Sequence, residues 1–177
     1  MAIIHKASVS PTKAELLERL FGAPVTVLGS YRLDDPDGEV GVEAFIVRAG
    51  TGTRQVVLTY RGAPVADADD DLVSTMDHSV LGRRWIYDGT RDPVAVACFR
   101  RALLGEQDQA VEELWDNERR IGTREPTVQL SVLPGEPPEG DVVPVIATDL
   151  DVSAEGTPGP RLRAEWDGGD AIVAGIA

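Results

Sequence analysis

Apolar and polar positions along the chain change period several times, and each change predicts an element. Ala2–Val9, with β-branched Ile3, Ile4 and Val9, reads as a strand. A helix follows, opened by Ser10-Pro11 with proline at its first position, or one step later by a Thr12/Glu15 capping box. Leu16, Leu17, Leu20 and Phe21 form its apolar stripe, and Gly22 stops it. Alternation then predicts strands over Val25–Leu33, Glu39–Ala49 and Arg54–Tyr60. Asp34–Gly38 and Gly50–Thr53 are the turns between them, too short for parallel crossovers, so this is an antiparallel meander.

Arg61–Asp71 is a loop, Leu72–Val80 fits helix or strand, and Arg83–Asp88 reads as a strand. Asp92 caps a helix that begins at Pro93, with Val94, Ala97, Cys98, Ala102 and Leu104 inward and Gly105 as its end. Gln107–Arg120 matches a third helix through Val111, Leu114 and Trp115. Short strands are expected at Val128–Leu133, Val142–Ala147, Leu162–Trp166 and Ile172–Ile176. This order implies an α+β fold with helices packed on a curved antiparallel sheet, followed by C-terminal strands.

Composition narrows the setting. With 177 residues, 42% of them hydrophobic, the chain can bury a core without disulfide staples. No apolar run is long enough to span a membrane, and the N-terminus lacks a signal-peptide pattern. Cys98 is the single cysteine, which suits a reducing cytoplasm. The net charge of −13 argues against nucleic-acid and anionic-membrane partners.

Familiar catalytic patterns are missing. Neither lysine, Lys6 or Lys13, follows a glycine as a phosphate-binding loop requires. Gly50-x-Gly52 is followed by Gln55 where a dinucleotide fingerprint needs glycine. No protein-kinase signature and no nucleophile elbow occurs. Asp67, Asp69 and Asp71 imitate the start of a calcium loop, but Leu72 and His78 stand where glycine and glutamate are needed. No catalytic residue, metal ligand or cofactor is assigned.

The candidate chemistry concentrates in 77–93, in a protein that is only 5% aromatic. Asp77, His78 and Asp88 could support acid–base work, or His78 could fix a loop by hydrogen bonds. Trp85 and Tyr87, two apart on a strand, could stack on a sugar, anchor a partner or fill core; Arg84 points to the opposite face. Arg83 and Arg84 complete a set of ligand- or partner-binding candidates.

Several segments in order carry a resemblance. Ala-Ile-Ile-His-Lys-Ala-Ser-Val-Ser-Pro over Ala2–Pro11 precedes a Lys-x-Glu-Leu-Leu helix. Leu-Gly-Ser-Tyr-Arg over Leu28–Arg32 leads to Asp34-Asp35-Pro36 and to Gly-Glu-Val-Gly-Val-Glu over Gly38–Glu43. Leu-Thr-Tyr-Arg-Gly-Ala-Pro over Leu58–Pro64, the His78–Asp88 stretch and Asp92-Pro93-Val94 follow. Together they resemble the N-terminal cap domain of actinobacterial maltokinases, over roughly residues 1–105. That resemblance implies a cystatin-like topology, a helix wrapped by an antiparallel sheet, with 106–177 as a helix-and-strand extension, separate or packed in the same domain. It also implies a setting in trehalose or glycogen metabolism, where the kinase itself phosphorylates maltose. The expectation is a non-catalytic cap-like module that partners a sugar kinase or an α-glucan or trehalose enzyme. The rivals are a sugar-binding protein and an enzyme built around Asp77, His78 and Asp88; homodimerisation is compatible with each.

Overall fold

The computed structural model describes residues 2–116, 118–136, 140, 142–152 and 159–176. Strands β1 (Ala2–His5) and β2 (Val9–Ser10) precede helix α1 (Lys13–Phe21). Then come β3 (Val25–Asp34), β4 (Gly41–Ala49), β5 (Gly52–Arg61), β6 (Leu72–His78) and β7 (Gly82–Asp88). After α2 (Pro93–Leu103) follow β8 (Glu112–Asp116), β9 (Arg119–Arg124), β10 (Val128–Leu133), β11 (Pro144–Ile146), β12 (Arg161–Trp166) and β13 (Gly169–Ile176). The class is α+β, with far more strand than helix.

Local chemistry sets both helices. The Thr12 hydroxyl accepts from Glu15 N–H, and Glu15 returns to Thr12 N–H, so of the two expected starts the capping box is the one used. Gly22 adopts the left-handed conformation that ends α1. Leu16 and Leu17 are buried, but Leu20 is exposed, because a nine-residue helix touches the sheet along a narrow stripe. Asp92 caps α2 through Val94 N–H, with Pro93 at the first position. Its buried face is Ala95, Cys98, Phe99, Ala102 and Leu103, rotated from the expected Val94, Ala97, Cys98, Ala102 and Leu104.

The central sheet has six antiparallel strands in the order β2-β6-β7-β5-β4-β3. Both of its faces are covered. On one, Leu16 and Leu17 of α1 pack with Phe45, Val47, Leu58, Met76 and Ile86. Burying each leucine contributes about 2 kcal/mol. On the other, α2 lies between the central sheet and a second sheet, β10-β12-β13-β11. Ala44, Ile46, Phe99, Leu162 and Val173 belong to that one core. Val128, Leu162, Val173 and Ile176 therefore belong to the same core as Tyr31, Ala44 and Leu103.

Polar rivets tie the layers. Tyr31 Oη donates to Gln55 Oε1 at 2.6 Å, and Gln55 Nε2 donates to the carbonyls of Ala147 and Val173. Arg54 pairs with Asp149 and Asp151. Gly29 is required where β3 meets the next layer, since a Cβ there would lie 2.7 Å from Val128 Cγ2.

The expected third helix over Gln107–Arg120 is instead a loop, strand β8 and the start of β9. Gln107 Nε2 donates to Asp34 O, Ala110 N–H to Arg32 O, and Gln109 clamps Val128 O and Leu130 N–H, so this stretch covers the outer edge of β3. Beyond it, β8 pairs in parallel with β1 and antiparallel with β9 as a third sheet. The Val111/Leu114/Trp115 spacing fits a helix locally, and pairing with a segment more than 100 residues away overrides it. The expected single strand Ala2–Val9 splits for the same reason: β1 joins that third sheet, whereas β2 joins the central one.

Candidate functional site

The candidate residues sit on the β6–β7 hairpin, where register and alternation decide which way each side chain faces. Asp77 is opposite Arg83, Thr75 opposite Trp85, and Met76 opposite Arg84. Met76 and Ile86 pack under α1, so His78 and Arg84 share that face. Asp77, Arg83, Trp85 and Tyr87 lie on the other.

On this second face Asp77 and Arg83 are exposed and Trp85 is half-buried. Tyr87 is buried, its hydroxyl accepting from Val65 N–H at 2.8 Å, so it holds the Arg61–Asp71 loop rather than offering a free ring. Trp85 and Tyr87 do share a face, as the sequence implies, but only Trp85 keeps solvent access. A shallow cavity of about 280 Å³ at the hairpin end is lined by Ser8, Ser10, Asp77, His78, Ser79 and Arg83, among others.

His78 fixes the hairpin turn. Its Nδ1 accepts from Val80 N–H at 3.2 Å and Leu81 N–H at 3.1 Å, while Arg84 Nη2 donates to Leu81 O at 2.6 Å. Gly82, at a φ of 72°, completes the turn. Burial, followed by His5, Arg84 and Lys13, holds the imidazole below its usual range.

Asp88 is at the far end of β7, roughly 20 Å along the strand, where its Oδ1 accepts from Thr90 N–H and Thr90 Oγ1. Asp77 faces away from His78. Asp77, His78 and Asp88 are therefore not brought together as an acid–base group; of the two readings open for His78, the geometry has the loop-fixing one. The Asp69–Asp71 run is a 3-10 turn in which Asp71 pairs with Arg91.

A second constellation went unforeseen. Glu43 of β4, only 1% exposed, accepts from Lys13 Nζ at 2.6 and 2.8 Å and pairs with Arg32 Nη2 at 2.9 Å. The Lys13 ammonium also lies 5.7 and 5.8 Å from the Phe45 and Tyr60 ring centres. Buried Glu112 of β8 pairs with Arg124 of β9 and acts electrostatically on Arg32. This network ties α1, the central sheet and the β1-β8-β9 sheet. Burial opposes ionisation of Glu43, yet Arg32 and Lys13 together hold its carboxyl below the usual range. Glu43 alternates with apolar Val42 and Ala44 and so reads as solvent-facing; the signal that its face is covered lies in Phe45 and Val47, which share that face.

Residues 19–92 match the maltokinase N-terminal cap domain, a segment running from the last turn of α1 through β3–β7 to the cap of α2. Over that segment, less than half of the chain, it is similar to the maltokinase N-terminal cap domain. It is also 31% identical over 150 residues to a leucine–tRNA ligase of Mycobacterium tuberculosis, covering 79% of this chain and 14% of the ligase. The leucine–tRNA ligase of Mycobacterium leprae is 31% identical over 153 residues, covering 80% of this chain and 14% of that protein. The chain thus spans about 14% of the length of the curated relatives it matches. No solved structure matches it. No helix of the described residues is long and apolar enough to cross a membrane.

Proposed function

We propose that the chain is a non-catalytic cap-like module of carbohydrate metabolism that binds a sugar kinase or an α-glucan or trehalose enzyme in the cytoplasm and regulates it. The observation that carries this reading is the match of residues 19–92 to the maltokinase cap, since that segment holds five of the six central strands. In this reading, α1 laid over β3–β7 corresponds to a cystatin-like cap unit, and residues 106–177 are an extension packed in the same domain. The ligase matches support a modular role, because there too the matching stretch is a small part of a much larger enzyme. Asp77, Arg83 and Trp85 on the accessible hairpin face are the proposed contact residues.

The test uses the full chain and the maltokinase of the same cell. Expected are a Kd of about 10 μM or tighter, a changed rate of maltose phosphorylation, and binding weakened at least roughly tenfold by Arg83→Ala in a folded protein. No binding at about 100 μM to the maltokinase or to the α-glucan and trehalose enzymes would overturn the proposal. Self-association at the same concentrations, with no enzyme binding, would favour a homodimer instead. A sugar-binding role would show as direct binding of maltose or trehalose that Trp85→Ala abolishes.

A further inference from the structure

The chain has two histidines, 73 positions apart, and the fold brings them together: the His5 and His78 rings stand edge to face with centroids 6.1 Å apart. Because Nδ1 of His78 accepts two backbone N–H groups, its lone pair must be free, which places the neutral ring's proton on Nε2. A proton on Nδ1 would set one donor against two others and break both bonds.

Among the described residues, no acidic group acts on His78 to favour an imidazolium. The groups that act on His78 are His5 from β1, Arg84 from β7 and Lys13 from α1, all basic. Strand β2, paired with β6 at Val9–His78, contributes Val9 and Ser10 and no charge, and Asp77 faces the other way. Among the described residues, the buried His5 Nδ1 has no hydrogen-bond partner. We propose that His78 is an acid-sensitive latch: its Nδ1 holds the β6–β7 turn closed at neutral pH, and its protonation opens the turn and loosens the contacts the hairpin makes with β2 and with His5 of β1.

The elements released are specific. Ser8 N–H donates to Ser79 Oγ and Ser79 N–H to Ser8 O, both at 3.0 Å, so the turn also secures the chain just before β2. Val80 and Leu81, 47% and 45% exposed, ride on the turn and would move with it. Since His78 is held below its ordinary range, the unfolded or opened chain binds the proton more readily than the closed one. The latch is therefore fully closed above about pH 6.5 and weakens as pH falls below it.

The experiment is amide hydrogen exchange and ring-proton NMR on the full chain between about pH 7.5 and 5. Expected is a rise in intrinsic-rate-corrected exchange at Val80 and Leu81 of roughly tenfold or more, with the same midpoint as the His78 ring. His78→Asn, whose amide oxygen can accept in place of Nδ1 without titrating, should remove that pH dependence. His5→Gln should move the His78 midpoint upward. Exchange at Val80 and Leu81 that stays flat while the His78 ring titrates would overturn the latch, as would an unchanged pH response in His78→Asn. Should His78→Asn leave the turn open at neutral pH, the coincidence of the two wild-type midpoints decides.

Discussion

Replacing Glu43 by alanine is the most informative single perturbation. The side chain is 1% exposed and satisfies two cations, Lys13 Nζ at 2.6 Å and Arg32 Nη2 at 2.9 Å. Alanine would leave both next to an empty carboxylate site in the protein interior. Breaking a buried pair from one side costs about 3–5 kcal/mol, because the remaining charge stays desolvated. Against a total stability of about 5–15 kcal/mol, that is a large share. For a chain of this size it corresponds to a fall in Tm of roughly 6–20 °C. The contrast is Lys13→Met. The Lys13 side chain is 36% exposed, and Arg32 would still face the carboxylate, so a loss of about 1–2 kcal/mol is expected. Urea unfolding followed by circular dichroism measures both, with unchanged m-values confirming that only stability moved. Acid should expose the same network in the unaltered protein. Glu43 has a folded pKa below its unfolded value, so its contribution is complete above about pH 4.3 and is lost as pH falls through the folded pKa. A Glu43→Ala protein that unfolds within about 1 kcal/mol of the parent would refute the reasoning, and the network would then be incidental.

Three further outcomes follow from the same structure. Asp92→Ala removes the α2 cap and strands Arg61 and Thr59, which bond its carboxylate at 2.6 to 2.8 Å, so urea melts should show a loss of about 2–4 kcal/mol. Gln55→Leu leaves the Tyr31 hydroxyl and the carbonyls of Ala147 and Val173 without this partner; an expected loss of about 2–4 kcal/mol is checked by calorimetry, and no loss would mean the layers do not depend on it. Cys98 is fully buried and burial pushes its thiol pKa up, so native labelling by a thiol reagent should be at least roughly a hundredfold slower than in urea.

Where one stretch of chain carries its own instructions, the sequence alone determined the structure. The Thr12–Glu15 box, Gly22, and Asp92-Pro93 set the helix starts and one stop, because caps are satisfied within four residues. The β3–β5 meander was equally legible, since its short acidic and glycine turns and alternating valines leave antiparallel pairing as the only compact choice. The resemblance to the maltokinase cap was carried by those same segments. Tertiary structure decided whatever depended on a distant partner. Glu112–Trp115 became a strand because β1 lies beside it. Glu43 became a buried ion-pair hub because α1 and β3 deliver Lys13 and Arg32 to a position that alternation assigns to solvent. The hairpin divided the candidate site by register: a one-residue step places Arg84 and His78 on the face that carries α1 and Arg83 and Trp85 on the opposite face, and Asp88 is carried a strand's length away. Period and capping are encoded within a turn or two of chain, whereas burial and charge pairing are properties of surfaces that exist only once distant segments have met.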